Sequence, residues 1–292
     1  MRAPLVILAF VVYLFTARWY FVCQLLHICA SPENRELSGA LRTLSVTDTG
    51  SVVLSGFEQF AFERDEAWPL LPQAHRPYNN LAFLDTLTEY LLQDYYMELL
   101  ITGRLYQDEI GLSEGYFENL GLARADAVRR LLIRQGLPED KIRLDYEVTD
   151  TAGMKEPLSF AIYRSLQWPD GVTPALYSFR QMSFSALNFP VGDQPYAPGL
   201  AFENYAELLK NYLKENPVQR IRIIGHVARG ESDEEDDQRA RAIAESARDQ
   251  LIRLGIDAIP LVVESYGSLN PIAPGDTEVG RRKNERVTFL LE

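Results

Sequence analysis

The segment "IRIIGHVARGESDEEDD", residues 221–237, decides how the rest of the chain is read. An apolar run broken only by Arg222 stops at Gly225 and His226, and six acids in seven residues follow from Glu231. A run of four to six β-branched residues bounded by glycine predicts a buried strand. Negative charge is favoured where a helix begins, because its first N–H groups lack partners and its dipole is positive there. "QRARAIAESARDQLIRLG", 238–255, supplies that helix, and Gly255 is a good terminator. The acidic run is therefore read first as a solvated helix leader. A docking surface for a cationic partner and a weak calcium site remain alternatives. His226 stands alone: the other histidines are His27 and His75, and the two cysteines are Cys23 and Cys29. A metal centre needs several such ligands at short spacing, so no metal and no cofactor are expected.

Working outward, the same order of elements occurs twice. In the second half, "LYSFRQMSFSALNF" (176–189) reads as a strand and "FENYAELLKNYLKENP" (202–217) as an amphipathic helix. "RIRIIGH", the helix above, "IPLVVESYG" and "ERVTFLLE" complete it. In the first half, "SVVLSGFEQFAF" (51–62), a helix with Leu84, Leu87 and Leu91 on one face, "MELLITG", "ENLGLARADAVRRLLIRQG", "KIRLDYEV" and "LSFAIY" follow in the same order. "RADAVRRLLIRQGL" (124–137) aligns without gaps on "IAESARDQLIRLGI" (243–256), with six of fourteen positions identical. Gly103 and Gly225 fall at the ends of the two central strands, where the chain must turn. The expected fold is α+β: two tandem βαβαββ domains, each a mixed four-stranded sheet with helices on one face. Boundaries are expected at 50–163 and 177–292, with a Pro- and Gly-containing linker at 164–176 and a polar spacer at 31–49.

The 292 residues carry a net charge of −12 without a segregated basic patch, which excludes nucleic acid as a partner. "APLVILAFVVYLFTA" (3–17) has no charge, and the apolar character continues past Arg18. About 20 apolar residues span a bilayer, so 3–22 is expected to be an uncleaved transmembrane helix, within an anchor segment at 1–30. A cleaved signal peptide is the rival. Cys23 and Cys29 either close a small loop as a disulfide or remain two thiols.

The second half resembles the OmpA-like C-terminal domain family of bacterial envelope proteins. "IIGHVARG" stands where that family has a strand followed by Gly-His-Thr-Asp-x-x-Gly, and "GRRKNERVTFLL" where it ends Gly-Arg-x-x-Asn-Arg-Arg-Val. "QLIRLGI" and "ESYGSLNP" continue the likeness, and the first half is similar more faintly, through "LLITGRL" and "LGLARADAV". The resemblance implies His226 as a structural histidine and Gly225, His226, Asn284, Arg286 and Arg124 as ligand-binding positions.

In the family, an Asp after the strand and an Arg fifteen residues later clamp the diaminopimelate of the peptidoglycan stem. Here those positions are Ala228 and Ile243. Arg241 reaches the Arg role only by a shift of about 200° around the helix. In the first half Arg124 is kept, Tyr106 stands at the Asp position, and Asp108 and Glu109 sit in a longer loop. The implied role is non-covalent attachment to peptidoglycan or to envelope proteins, at the inner membrane and in the periplasm. A degenerate pair of modules acting as a protein-protein scaffold is the alternative. No nucleophile–base arrangement, phosphate loop or metal spacing appears, so an enzyme is not expected.

Overall fold

The computed structural model describes residues 43–70, 80–150, 155–165, 168, 171–192 and 199–292. The expected anchor, Cys23, Cys29, His27, His75 and most of the expected spacer lie outside the described residues. Among the described residues, no helix is long and apolar enough to cross a membrane. Both sheets belong to one compact unit, Leu41–Glu292.

The first sheet contains β1 (Leu44–Asp48), β2 (Ser51–Phe57), β3 (Met97–Tyr106), β4 (Ile142–Thr149) and β5 (Leu158–Arg164) in the order β2-β1-β5-β3-β4. It therefore has five strands rather than the expected four. The extra strand, β1, falls inside the stretch expected to be a spacer. Its signal is short but physical: "LSVTD" alternates buried and half-buried residues. Thr49 and Gly50 both take positive φ, the backbone of a two-residue hairpin turn that matches strand twist. The helices α1 (Asn80–Leu91) and α2 (Leu120–Arg134) carry the apolar faces that cover this sheet.

The second sheet is four-stranded and mixed, as expected: β6 (Gln181–Ser185), β7 (Ile221–His226), β8 (Leu261–Ser265) and β9 (Arg286–Leu291) in the order β6-β9-β7-β8. Here α3 (Leu200–Glu215) and α4 (Asp233–Arg253) are the covering helices, and a short α5 (Glu278–Asn284) precedes β9. Phe184, Phe189, Phe202, Tyr205 and Phe289 interlock as the aromatic centre of this half. β5-β3-β4 and β9-β7-β8 share one pairing pattern, antiparallel and then parallel. The fourth strands differ, since β1 joins β5 in parallel whereas β6 joins β9 antiparallel.

The β3–β4 and β7–β8 pairs are each bridged by one long helix, and both helices end alike. Gly136 and Gly255 take positive φ, and each is followed by a buried apolar residue, Leu137 or Ile256, whose N–H reaches back into the last turn. That is the Schellman closure, which only glycine accepts without strain.

Residues 173–177 are bonded to both halves, and Pro174, Ala175 and Tyr177 are buried. Thr173 N–H donates to Pro271 O at 3.1 Å, and Leu144 N–H donates to Ala175 O at 3.0 Å. The buried Arg129 guanidinium donates to Leu176 O at 2.7 Å and to Tyr177 O at 3.2 Å. Around this crossing Lys283 reaches Asp145 at 2.6 Å and lies 4.4 Å from the centre of the Tyr146 ring.

Candidate functional site

At the end of β7 the chain must leave the sheet beneath α4. Gly225 faces that helix so closely that a Cβ would sit under 3.0 Å from Ala240 O, and Gly103 stands in the same relation to Gly121 of α2. The sequence expectation of a turning strand is thus replaced by close backbone approach. Gly225 has ordinary strand geometry, and Gly103 lies inside β3, three residues from its end.

The acidic run is the first turn of α4. Ser232 caps it by accepting from Glu235 N–H at 3.2 Å. Asp236 is buried and accepts from Gly230 N–H at 3.0 and 3.1 Å, which fastens the loop after β7 to the helix. The remaining acids of the run are exposed, with Asp237 half-buried. No group of three or more His, Cys, Asp or Glu side chains suited to a metal exists among the described residues.

The positions named from the sequence divide into four places. Ala228 is buried in the loop after β7, and Ile243 packs from α4 against the core, so neither presents charge. Asn284 is buried at the end of α5. Its Oδ1 accepts from Ile272 and Ala273 N–H at 2.8 and 3.1 Å, and its Nδ2 donates to Ala273 O at 2.8 Å. All three bonds hold the loop before α5. His226 and Arg286 pair across β7 and β9 on the sheet face opposite the helices.

The fourth place is in the first half, and it changes the reading of Tyr106. Counted from the strand glycines, Tyr106 corresponds to Ala228, since each is three residues beyond its glycine. Counted from the helix contacts Gly121 and Ala240, the counterpart of Ala228 is Glu109, fifteen residues before Arg124. The two counts differ because the loop leaving β3 is three residues longer. In space, Arg124 meets Glu109: Nη2 donates to Oε1 at 2.6 Å and Nη1 to Oε2 at 2.9 Å. Tyr106 donates its N–H to Glu109 Oε2 at 2.7 Å.

This pair is closed. Arg124 is 2% exposed and Glu109 0%. The connection after β2 lies over them: Arg124 Nε donates to Glu66 O at 3.0 Å, Asp65 N–H to Glu109 at 3.4 Å, and the Phe62 ring covers the guanidinium at 5.6 Å. Burial pushes the Glu109 carboxyl up, but the bonds from Arg124 and two backbone N–H groups outweigh it and hold the group below the usual carboxylate range. The signal for this pair was the fifteen-residue spacing itself.

The seam between the halves holds a group that no motif announced. Glu118 accepts from Ser185 N–H at 2.8 Å and from Asn188 Nδ2 at 2.5 Å. Desolvation in the seam pushes its carboxyl up to about 7, against those two bonds.

Residues 201–285 match the model of the OmpA family. The chain is similar in fold to the peptidoglycan-associated lipoprotein from Burkholderia pseudomallei, with 24% identity over 39% of this chain and 90% of that one, at a TM-score of 0.32. The periplasmic domain of Helicobacter pylori MotB gives 23% identity over 38% of this chain and 74% of that one, at 0.31. A putative MotB-like protein from Desulfovibrio vulgaris gives 20%, 38%, 72% and 0.31. No curated protein matches the chain.

Proposed function

We propose that this chain, with its OmpA family domain at 201–285, is a non-catalytic envelope protein that associates with peptidoglycan without a covalent bond. The single observation that carries this reading is the family match over that stretch. The likeness of "IIGHVARG" and "GRRKNERV" to the family's motifs supports it from the sequence side. In this proposal residues 3–22 anchor the chain in the inner membrane and both sheets stand in the periplasm. The first half is a divergent copy of the same domain, a reading supported by the common β-β-β pairing and by the Glu109–Arg124 spacing.

A second reading, a protein-protein scaffold within an envelope complex, is favoured by a specific observation. The clamp positions of the second half are apolar and packed, and the charged pair of the first half is covered by its own chain. Co-sedimentation of the detergent-solubilised full chain with purified sacculi separates the two readings. Retention on sacculi that survives competition by soluble envelope extract supports peptidoglycan association. Loss of the protein to the supernatant, with recovery of a discrete envelope partner, supports the scaffold.

A further inference from the structure

The face of the second sheet turned away from α3 and α4 is polar, yet it is covered. Strand alternation places Gln181 and Ser183 of β6, Ile224 and His226 of β7, and Arg286 and Thr288 of β9 on it. Register sets His226 opposite Arg286, and Thr288 between Ser183 and Ile224. The segment at 171–175 and the loop at Asn270–Ile272 lie over this face and leave a cavity of about 230 Å3, with Arg143 of β4 at its wall.

Positive charge in this cavity lacks an answer. Among the described residues that line it are two arginines and a histidine, and none is a carboxylate. Arg143 is answered from outside the lining, by Glu98 at 2.8 Å. Arg286 is not. It is 5% exposed, and its Nη1 and Nη2 donate only to the main-chain oxygens of Asn284 at 3.3 Å and Asn270 at 2.8 Å. Among the described residues its Nε has no partner, and neither has Nδ1 of His226, which is 4% exposed. Burial brings Arg286 down to about 10, still charged at neutral pH. Burial first, and then the neighbouring guanidinium, hold His226 down at about 2, so the imidazole is neutral.

A buried charge without a counter-charge is costly, and buried polar atoms without partners are rare in folded proteins. The planar fork of a guanidinium is matched by the two oxygens of a carboxylate or phosphate, and a neutral imidazole adds one N–H donor. We propose that this cavity binds a small oxyanion, a carboxylate or phosphate group, held by Arg286 Nε and His226 Nδ1. The Ser183 and Thr288 hydroxyls, hydrogen-bonded to each other at 2.9 Å, leave one further O–H donor at the same wall. The site lies on the opposite side of the sheet from α4, which carries Ile243, and does not depend on peptidoglycan association.

Thermal unfolding and calorimetry of the detergent-solubilised full chain test this with inorganic phosphate, acetate and chloride at matched ionic strength. The expected result is a saturable rise in Tm with phosphate or acetate beyond that with chloride. Whichever saturates at lower concentration tells phosphate from carboxylate. Arg286→Met should abolish the rise. Because that change removes a buried side chain, Ser183→Asp is the second variant. By placing a carboxylate in the cavity, it should raise Tm without added anion and weaken anion binding at least tenfold. Asp170 precedes Gly171 in sequence and lies outside the described residues, so Asp170→Asn is the third. It should leave the response unchanged. The proposal is overturned if neither anion exceeds chloride, if Ser183→Asp leaves binding intact, or if Asp170→Asn creates a response that the parent lacks.

Discussion

Gly225 and Gly103 make the sharpest demands on single positions. A methyl group at either would overlap helix backbone, which cannot retreat without separating helix from sheet. Gly225→Ala is expected to cost about 3 kcal/mol or more, in the range of severe core disruptions. Gly275→Ala, with open space around it, should stay within about 0.5 kcal/mol, and urea denaturation compares the two. The Glu109–Arg124 pair gives a second expectation. Removing one partner leaves the other charged and buried, so Arg124→Met should cost about 3–5 kcal/mol, and the double variant with Glu109→Met less than the sum of the single changes. A double-mutant cycle showing simple additivity would contradict this. The same spacing predicts that Ala228→Asp with Ile243→Arg places an acid and an arginine within reach of each other in the second half. Free meso-diaminopimelate should bind the parent weakly or not at all, and the double variant at least tenfold more tightly by calorimetry. Micromolar binding by the parent, about −8 kcal/mol, would contradict the assignment of those positions.

Between elements, the seam is where pH enters. Glu118 of the loop before α2 accepts bonds from Ser185 at the end of β6 and from Asn188 just beyond it, and its carboxyl is raised to about 7. An acid whose pKa is higher in the folded chain than in the unfolded one favours folding when protonated. The contribution is therefore fully present below about 4.5, the ordinary value of a glutamate, and is lost as pH rises through about 7. Stability measured across that window should fall with rising pH, and Glu118→Gln should flatten the slope. A parent profile that rises across the window, or a slope unchanged in the variant, would count against this account. The crossing segment belongs to the same seam. With Thr173, Ala175, Leu176 and Tyr177 all bonded across it, proteases should spare 171–177 until the chain unfolds.

Across the chain from Leu41, the continuous core and the shared seam predict one cooperative unfolding transition, checked by agreement of calorimetric and van't Hoff enthalpies. Two resolved transitions would mean that the halves fold independently, as the domain boundaries read from the sequence imply. Much of this architecture is legible in the order of residues alone. Strand and helix periods, the caps at Gly136 and Gly255, the mixed second sheet and the OmpA resemblance of the second half all follow from side-chain spacing along one element. Such spacing is a local property, so it survives in the linear sequence. β1 is hidden there because five residues and a Thr-Gly turn are too short to stand out from a polar stretch. The true roles of the strand glycines, the raised Glu118 and the uncompensated Arg286 are not legible in it. Each depends on how a helix is set upon a sheet or one sheet against another. Three extra residues in the loop after β3 are enough to move the acid from the place of Tyr106 to Glu109. Distances between elements are fixed by packing, which no period along the chain records.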